Sequence, residues 1–265
     1  MLDLEFTERT SAGLVRENNE DATGFVMAST PEQRRSQGWF FCVADGMGAH
    51  AKGEVASSLA VETACKEFRI VPKGVMHVSL LPRLVQQANI AVYDAGHEKG
   101  DGNGMGTTIV CCALRFDSAV VAHVGDSRCY LMRNSKLTQL THDHTLHNEH
   151  VRLGILAAED AGSGEGKHIL TRSLGQELFV AADTLTVNVV PGDLLLLCTD
   201  GVHGYLPEAT LAQMLSSPLP IERLADALIE QVYKAGAPDN ATLQLIRVNA
   251  VERMGLYRGR PYRLL

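Results

Sequence analysis

The sequence lacks the features that mark a membrane-spanning, disulfide-bonded or zinc-binding protein. No apolar run approaches the roughly 20 residues that a membrane helix needs. The N-terminal stretch MLDLEFTERT has neither the basic nor the apolar region of a signal peptide. The six cysteines lie mostly inside apolar runs and form no CxxC pair, which is typical of buried reduced thiols. We therefore expect a soluble protein of the cytoplasm.

The chain also has fewer basic than acidic residues. The 265-residue chain has 24 Lys and Arg against 31 Asp and Glu, a formal net charge of -7, and no long basic stripe. Because a nucleic-acid-binding protein usually carries such a stripe, we expect no nucleic-acid partner. The locally basic segment at residues 251–265 is short and terminal, and we interpret it as a tail or the start of a linker.

The sequence does contain a series of short apolar runs separated by turns. They predict strands at residues 25–28, 39–44, 108–114, 119–124, 128–132, 185–190, 194–198 and 242–248. Apolar residues at helical spacing predict helices within residues 53–68, 80–96 and 221–236. Strand neighbours with short turns dominate residues 108–140. This favours an α+β layered sandwich of antiparallel sheets over a doubly wound parallel sheet.

Residues 142–168 interrupt this pattern of strands. They are polar and rich in histidine, and they include the glycine-rich run GSGEG. Such a composition is typical of a surface excursion inserted between strands.

Acidic residues stand at the ends of several apolar runs. They are Asp45, Asp126, Asp200, Asp239 and the adjacent pair Glu20 and Asp21. If one end of a sandwich gathered these carboxylates, their repulsion would require a counter-charge, and Mg²⁺ and Mn²⁺ prefer oxygen ligands of this kind. Zinc fits less well, because no cluster of His and Cys has ligand spacing. The alternative is a solvated turn at each position, and the sequence alone does not prove that the acids converge.

These acids, together with Arg16, suggest chemistry at phosphorus. Two ions that share a carboxylate would lower the pKa of a bridging water and orient it for in-line attack. The planar guanidinium of Arg16 matches a phosphoryl group, so it is the natural partner for the anion. A metal-dependent nuclease could use the same acids, but the acidic composition argues against that class.

Eight short motifs occur in one order along the chain. They are GLVRENNED, VADGMGAHAKGEVAS, GMGTT, HVGDSRCYL, LTHDHTLHNEHVRLG, LTRSLG, LLLCTDGV and PDNAT. Together they resemble the bacterial branch of the metal-dependent serine/threonine protein phosphatases, type 2C, over about residues 10–248. Each motif alone is weak, but eight in the right order make a chance match very improbable.

The resemblance implies a four-layer αββα sandwich, with two central antiparallel β-sheets flanked by helices. It implies a single catalytic domain over residues 1–250, in which residues 142–168 form a mobile flap beside the site. The implied activity is hydrolysis of phosphoserine and phosphothreonine at a binuclear Mn²⁺ or Mg²⁺ centre. The implied partners are phosphorylated proteins, such as a bacterial Ser/Thr kinase or its targets. We expect the phosphatase itself to be a monomer. The alternative is an inactive relative that binds phosphopeptides or acts as a scaffold.

The resemblance also implies roles for individual residues. Asp45 would bridge the two ions, and the carbonyl of Gly46 would ligate the first. Asp200 and Asp239 would hold the second ion, and Arg16 would bind the substrate phosphate.

Further acids would surround these ligands. Glu20 and Asp21 would act through waters or support the ligands from behind, and Asp126 would help Asp200 to hold a weaker third ion. Met47 departs from some relatives, which have histidine at this position as the proposed general acid, so the donor of the leaving-group proton is unassigned.

Overall fold

Two antiparallel β-sheets, named here sheet I and sheet II, pack face to face in the computed structural model. The structure describes residues 1–47, 52–97, 104–155, 166, 169–257 and 260–263. In spatial order, sheet I contains β1 (Asp3–Ser11), β11 (Ala241–Ala250), β10 (Leu194–Cys198), β7 (Arg128–Arg133) and β8 (Lys136–Gln139). Sheet II contains β2 (Asp21–Val26), β3 (Trp39–Met47), β5 (Ile109–Arg115), β6 (Ser118–Val124) and β9 (Asp183–Asn188), and β4 (Gly106–Thr107) pairs with the end of β3.

Helices cover the outer face of each sheet. On sheet II these are α2 (Lys52–Ile70) and α3 (His77–His97), and on sheet I they are α5 (Asp200–His203), α6 (Glu208–Leu215) and α7 (Ile221–Lys234). The short helix α1 (Pro31–Ser36) joins β2 to β3. The predicted four-layer α+β sandwich is confirmed. Across the described part of the chain, no helix combines the length and the apolar character that crossing a bilayer requires.

The strand β3 shows why its sequence is an unbroken apolar run. Phe40 and Cys42 face α2 and α3, while Phe41 and Val43 face sheet I, and all four side chains are fully buried. Since successive side chains of a strand point to opposite faces, a strand covered on both sides must be apolar at every position. Each buried Phe or Val stabilises the fold by about 1.5–3 kcal/mol, so β3 is a fixed base for the residues that follow it.

The strand boundaries differ from the predictions at two important places. The strand predicted at residues 39–44 extends to Met47, because β4 pairs with Gly46 and Met47. The strand β1 was not predicted, although it pairs with β11 along its whole length.

Residues 142–168 are only partly described. They contain α4 (Leu146–Arg152), whose N-cap Thr145 accepts a hydrogen bond at its side chain from the N–H of Asn148. Residues 156–165 and 167–168, with most of the GSGEG run, lie outside the described residues. Further on, β12 (Met254–Tyr257) and β13 (Arg260–Arg263) pair with each other within the segment predicted to be a basic tail. The division at residue 250 stays a prediction.

Candidate metal centre

Asp45 lies at the end of β3, and its main chain is held by the two threonines of the GMGTT motif. Its carbonyl oxygen accepts hydrogen bonds from the N–H of Thr108 and the hydroxyl of Thr107, each over 2.8 Å. Its N–H donates to Thr108 Oγ1 over 2.9 Å. These bonds fix the direction in which the Asp45 carboxyl group leaves the strand.

The main chain at Gly46 packs so closely against its neighbours that only glycine fits. A Cβ atom at this position would collide with the carbonyl oxygens of Gly53 and Glu20. The N–H of Gly46 donates to the same Glu20 oxygen over 3.0 Å. The strand end is therefore pressed against the start of α2 and the residue before β2, at a distance that only glycine permits.

Asp21 is paired directly with Asp45 across the strands β2 and β3. Its Oδ2 accepts a hydrogen bond of 2.9 Å from the hydroxyl of Thr199, while its Oδ1 is buried and has no hydrogen-bond partner. Burial, and then the nearby charges of Asp200 and Asp239, raise the pKa of Asp21 to about 7. A buried carboxylate oxygen without a partner calls for a proton, a water or a cation.

Asp200 and Asp126 approach Asp45 from two other strand ends. Asp200 begins α5 two residues after the end of β10, and it lines the same cleft as Asp45, whose pKa its charge helps to raise. Asp126 follows β6 and is only 8% exposed, and its carbonyl oxygen accepts a hydrogen bond from the ring of His203 over 3.0 Å. Burial, and then the charges of Asp200 and Asp143, raise the pKa of Asp126 to about 7.

Asp239 lies in the turn before β11 and is paired with Arg16. The guanidinium contacts both carboxylate oxygens, with Nε at 2.9 Å from Oδ1 and Nη2 at 2.9 Å from Oδ2. The hydrogen bond to Asp239 raises the pKa of Arg16. The phosphate-binding residue predicted from the sequence therefore also contacts a predicted metal ligand.

A single open cleft of about 710 Å³ contains all the predicted site residues except Asp21, which lies behind Asp45. The lining residues that the prediction named are Arg16, Glu20, Asp45, Gly46, Asp126, Asp200 and Asp239. Those that it did not assign to the site are Met47, Thr108, Leu170, Ser173, Gln176, Tyr205 and Asn240. The structure thus brings together acids that are far apart in the sequence.

The cleft is strongly acidic. Among its described lining residues, five carboxylates face one guanidinium. Burial, followed by the charges of Asp21, Asp200 and Asp126, raises the pKa of Asp45 well above its usual range, and burial also raises the pKa of Glu20. Carboxylates that repel one another in this way bind protons or hard cations. The donors are all oxygen atoms and Asp21 Oδ1 is unpartnered, so the cleft fits Mg²⁺ or Mn²⁺.

A second group of potential ligands fits a metal less well. Nitrogen and oxygen atoms of His123, His144 and Asp183 lie within 4.8 Å of one another. The N–H of Gly125 donates to His144 Nδ1 over 3.1 Å, which leaves the ring proton on Nε2, facing Asp183 at 3.3 Å. Arg172 already neutralises Asp183, with Nη1 at 2.9 Å from Oδ1. This group is a hydrogen-bonded network that contains its own cation.

Several residues that shape the cleft were not singled out from the sequence. Thr199 and Asn240 are neighbours of Asp200 and Asp239 in the motifs TDG and PDN, so their place in those motifs is a signal that could have identified them. Gln176 and Tyr205 line the cleft only because distant segments meet there. No local pattern predicts that meeting.

Comparison with known proteins gives consistent matches along almost the whole chain. Residues 15–245 match the family model described as protein phosphatase 2C. The chain is 37% identical over 248 residues to the serine/threonine phosphatase stp of Listeria innocua, covering 92% of this chain and 96% of that protein.

The chain is also similar to solved structures of serine/threonine phosphatases. The serine/threonine phosphatase PstP/Ppp of Mycobacterium tuberculosis is 32% identical with a TM-score of 0.82, covering 94% of this chain and 100% of that chain. The catalytic domain of PstP in complex with two manganese ions is also 32% identical with a TM-score of 0.79, at the same coverage.

Proposed function

The chain belongs to the protein phosphatase 2C family and is a metal-dependent protein serine/threonine phosphatase, and we propose that the carboxylates of the cleft hold its two Mn²⁺ or Mg²⁺ ions. In this proposal Asp45 would help to hold both ions, the Gly46 carbonyl would help to hold one, and Asp200 and Asp239 would hold the other. The main support is that Asp45, Asp200 and Asp239 line one cleft, and that burial and the charges of Asp21 and Asp200 raise the pKa of Asp45, because carboxylates that repel one another need a positive charge between them.

When bound, the two ions supply Lewis acidity and an activated water for attack on phosphorus. The protein's part is to hold the ligands and the phosphate in place. Thr107 and Thr108 fix the main chain of Asp45 from one side of the strand. The hydroxyl of Thr199 donates a hydrogen bond to Asp21 Oδ2. The other oxygen, Oδ1, is buried and has no partner, so it is the one left to bind a water near the ions.

Arg16 binds the phosphoryl group of the substrate in this mechanism. Its side chain is 52% exposed and lines the cleft beside the acids, so a phosphate that enters can reach it. A guanidinium presents parallel N–H donors that match two phosphoryl oxygens. Met47, at the edge of the cleft, carries no proton that it could donate to a leaving group.

We further propose that Asp126 and Asp200 hold a third, weaker ion. Asp126 is nearly buried and its pKa is raised in part by Asp200, which is consistent with a shared cation. Glu20 also lines the cleft, and we assign it and Asp21 to support of the ligands through waters.

The substrates are phosphorylated proteins, and we propose that they include a bacterial Ser/Thr kinase or its targets. An inactive phosphopeptide-binding relative is not favoured, because each acid named for the metal ions is present at the cleft. A monomeric state and a cytoplasmic location stay predictions.

Phosphate release from p-nitrophenyl phosphate, and then from phosphothreonine peptides, tests the proposal. We expect activity with Mn²⁺, none after exhaustive EDTA treatment and dialysis, and recovery when Mn²⁺ is restored. Ca²⁺ should support less activity, because it favours more ligands and longer bonds. Full activity of the EDTA-treated protein would contradict a catalytic metal centre.

A further inference from the structure

The Arg16–Asp239 pair is an unusual arrangement for a metal ligand. Asp239 Oδ1 accepts hydrogen bonds from Arg16 Nε and from the main-chain N–H of Asn240, each over 2.9 Å, and Oδ2 accepts one from Arg16 Nη2 over 2.9 Å. Two of these three bonds come from a permanently charged group, which makes them the stronger kind. The carboxylate proposed to hold a metal ion is therefore already engaged by a cation of the same chain.

A divalent ion at Asp239 has to share this carboxylate with the guanidinium. It needs electron density from oxygens that already accept three N–H groups, and it places a second positive charge a few ångströms from the first. Like charges at this range repel strongly in a partly buried cleft. Arg16 should therefore oppose metal binding at Asp239.

Arg16 has the freedom to leave Asp239. Its loop is anchored by other contacts: Leu14 N donates to Ala237 O over 2.8 Å, and Asn240 Nδ2 donates to Ala12 O and Asn18 O over 3.0 and 2.8 Å. The side chain of Arg16 is half exposed and already lines the cleft, so it can turn from Asp239 to an anion there while the loop stays in place. A phosphate dianion in the cleft offers two oxygens that can accept the same pair of parallel N–H donors.

We propose that Arg16 exchanges partners during the working cycle, from Asp239 in the absence of phosphate to the phosphoryl group once metal and substrate are bound. This inference rests on the proposed function, because it assumes that Asp239 is a metal ligand. Its consequence is that metal and phosphate bind cooperatively through Arg16. Thermodynamic linkage requires the effect to be reciprocal, so phosphate tightens metal binding by the factor by which metal tightens phosphate binding.

The proposal predicts a gain of metal affinity when Arg16 is removed. The full-length protein is freed of metal with a chelator and titrated with Mn²⁺ by calorimetry, and the electron paramagnetic resonance signal of free Mn²⁺ gives an independent measure of the bound ion. Without phosphate, Arg16→Ala should bind the Asp239-dependent ion about fivefold or more tightly than the wild type, the lower end of typical coupling factors. With saturating inorganic phosphate, the wild type should gain affinity and Arg16→Ala should gain much less.

Two further variants make the result specific. Arg9→Ala removes another arginine paired with an aspartate, Asp226 at 2.7 Å, and should match the wild type with and without phosphate. Arg16→Lys keeps the charge without the planar donors and should fall between the wild type and Arg16→Ala in metal affinity. Equal or weaker Mn²⁺ binding by Arg16→Ala in the absence of phosphate would overturn the exchange.

Asp239→Asn separates failure of this inference from failure of the proposed site. If Asp239→Asn still binds both ions with wild-type affinity, the assignment of Asp239 as a ligand is wrong and the inference falls with it. If Asp239→Asn loses one ion but Arg16→Ala shows no gain, the metal site stands and the exchange alone is refuted.

Discussion

Asn240 holds the main chain of Glu20, whose N–H donates to Asn240 Oδ1 over 2.8 Å. The same side chain donates from Nδ2 to the carbonyl oxygens of Ala12 and Asn18, and it is 6% exposed. One buried amide thus spans the loop that carries Arg16 and joins it to the turn that carries Asp239. Asn240 contacts neither ion nor phosphate in the proposed mechanism, so it is a positioning residue.

Asn240→Ala should loosen this loop and reduce catalysis. It removes three hydrogen bonds, each worth about 0.5–1.5 kcal/mol, so we expect the free energy of unfolding to fall by about 1.5–4.5 kcal/mol. We also expect KM for p-nitrophenyl phosphate to rise more than kcat falls, because Arg16 loses its fixed position. Urea unfolding and steady-state kinetics measure the two effects, with the exposed Asn249→Ala as the control. An unchanged KM would show that the loop holds its shape without Asn240.

Asp45→Asn and Asp239→Asn should each abolish turnover while the fold remains intact. Asp45→Asn removes one charge from a cluster of acids that repel one another, so without metal its urea midpoint should equal or exceed that of the wild type. Asp239→Asn also weakens the charged bonds to Arg16, so its urea midpoint should not exceed that of the wild type. Turnover of p-nitrophenyl phosphate with Mn²⁺ and circular dichroism measure the two properties. Asp226→Asn, at a residue that does not line the cleft, is the control and should keep full activity. Substantial activity in Asp239→Asn would show that the second ion is held elsewhere.

Variants of α4 should change the selectivity for protein substrates. Arg152 forms an ion pair with Glu149 at 2.7 Å, and its side chain is 69% exposed. The resemblance predicts that residues 142–168 lie beside the site, and if they do, Arg152 can contact a protein substrate near the phosphoresidue. Arg152→Ala should alter the ranking among phosphothreonine peptides but leave the rate on p-nitrophenyl phosphate, which is too small to reach α4, nearly unchanged. Arg83→Ala on α3 provides a matched control. Equal losses on both kinds of substrate would instead make α4 part of the catalytic scaffold.

His77 should give the protein an acid sensitivity. It is 5% exposed and donates from Nε2 to Gln37 O over 2.7 Å, and burial, helped by the charge of Arg115, lowers its pKa from 6.5 to about 4. Since the unfolded chain then binds more protons in this range, the free energy of unfolding should fall as pH drops from about 6.5 to about 4, with no further loss from this group below.

The measurement is urea unfolding across this pH range. The loss due to His77 is on the order of 3 kcal/mol, and His77→Phe should remove that part of the slope even if it changes the stability at neutral pH. His97→Phe, at an exposed position, is the control. An identical slope in the wild type and His77→Phe would assign the acid sensitivity to other groups.

The sequence predicts the strands that are apolar on both faces and does less well with those that are not. The run from Trp39 is unmistakable because Phe40 and Phe41 are buried on opposite sides. In β1, charged residues alternate with Leu4 and Phe6, and only their period of two indicates a strand. That signal is weak, because it spans few residues and the stretch is otherwise polar.

Local sequence also predicts which acids could act, but not what holds them. Asp45 and Asp200 stand out because a carboxylate at the end of an apolar strand is unusual. The pairing of Arg16 with Asp239 joins residues 223 positions apart, and no spacing rule reveals it. A planar guanidinium suits a phosphate and a carboxylate equally well, so residue type alone could not distinguish the two partners.

The position of β11 between β1 and β10 has a consequence for synthesis on the ribosome. The first strand of the chain cannot pair until the last strand of its sheet has been translated. At about 5–20 residues per second, the segment bearing Arg16 waits on the order of tens of seconds for the turn bearing Asp239. If Asp239 is a metal ligand as proposed, a growing chain cannot complete its metal centre, and it stays unable to remove phosphate from its neighbours until translation of the domain is finished.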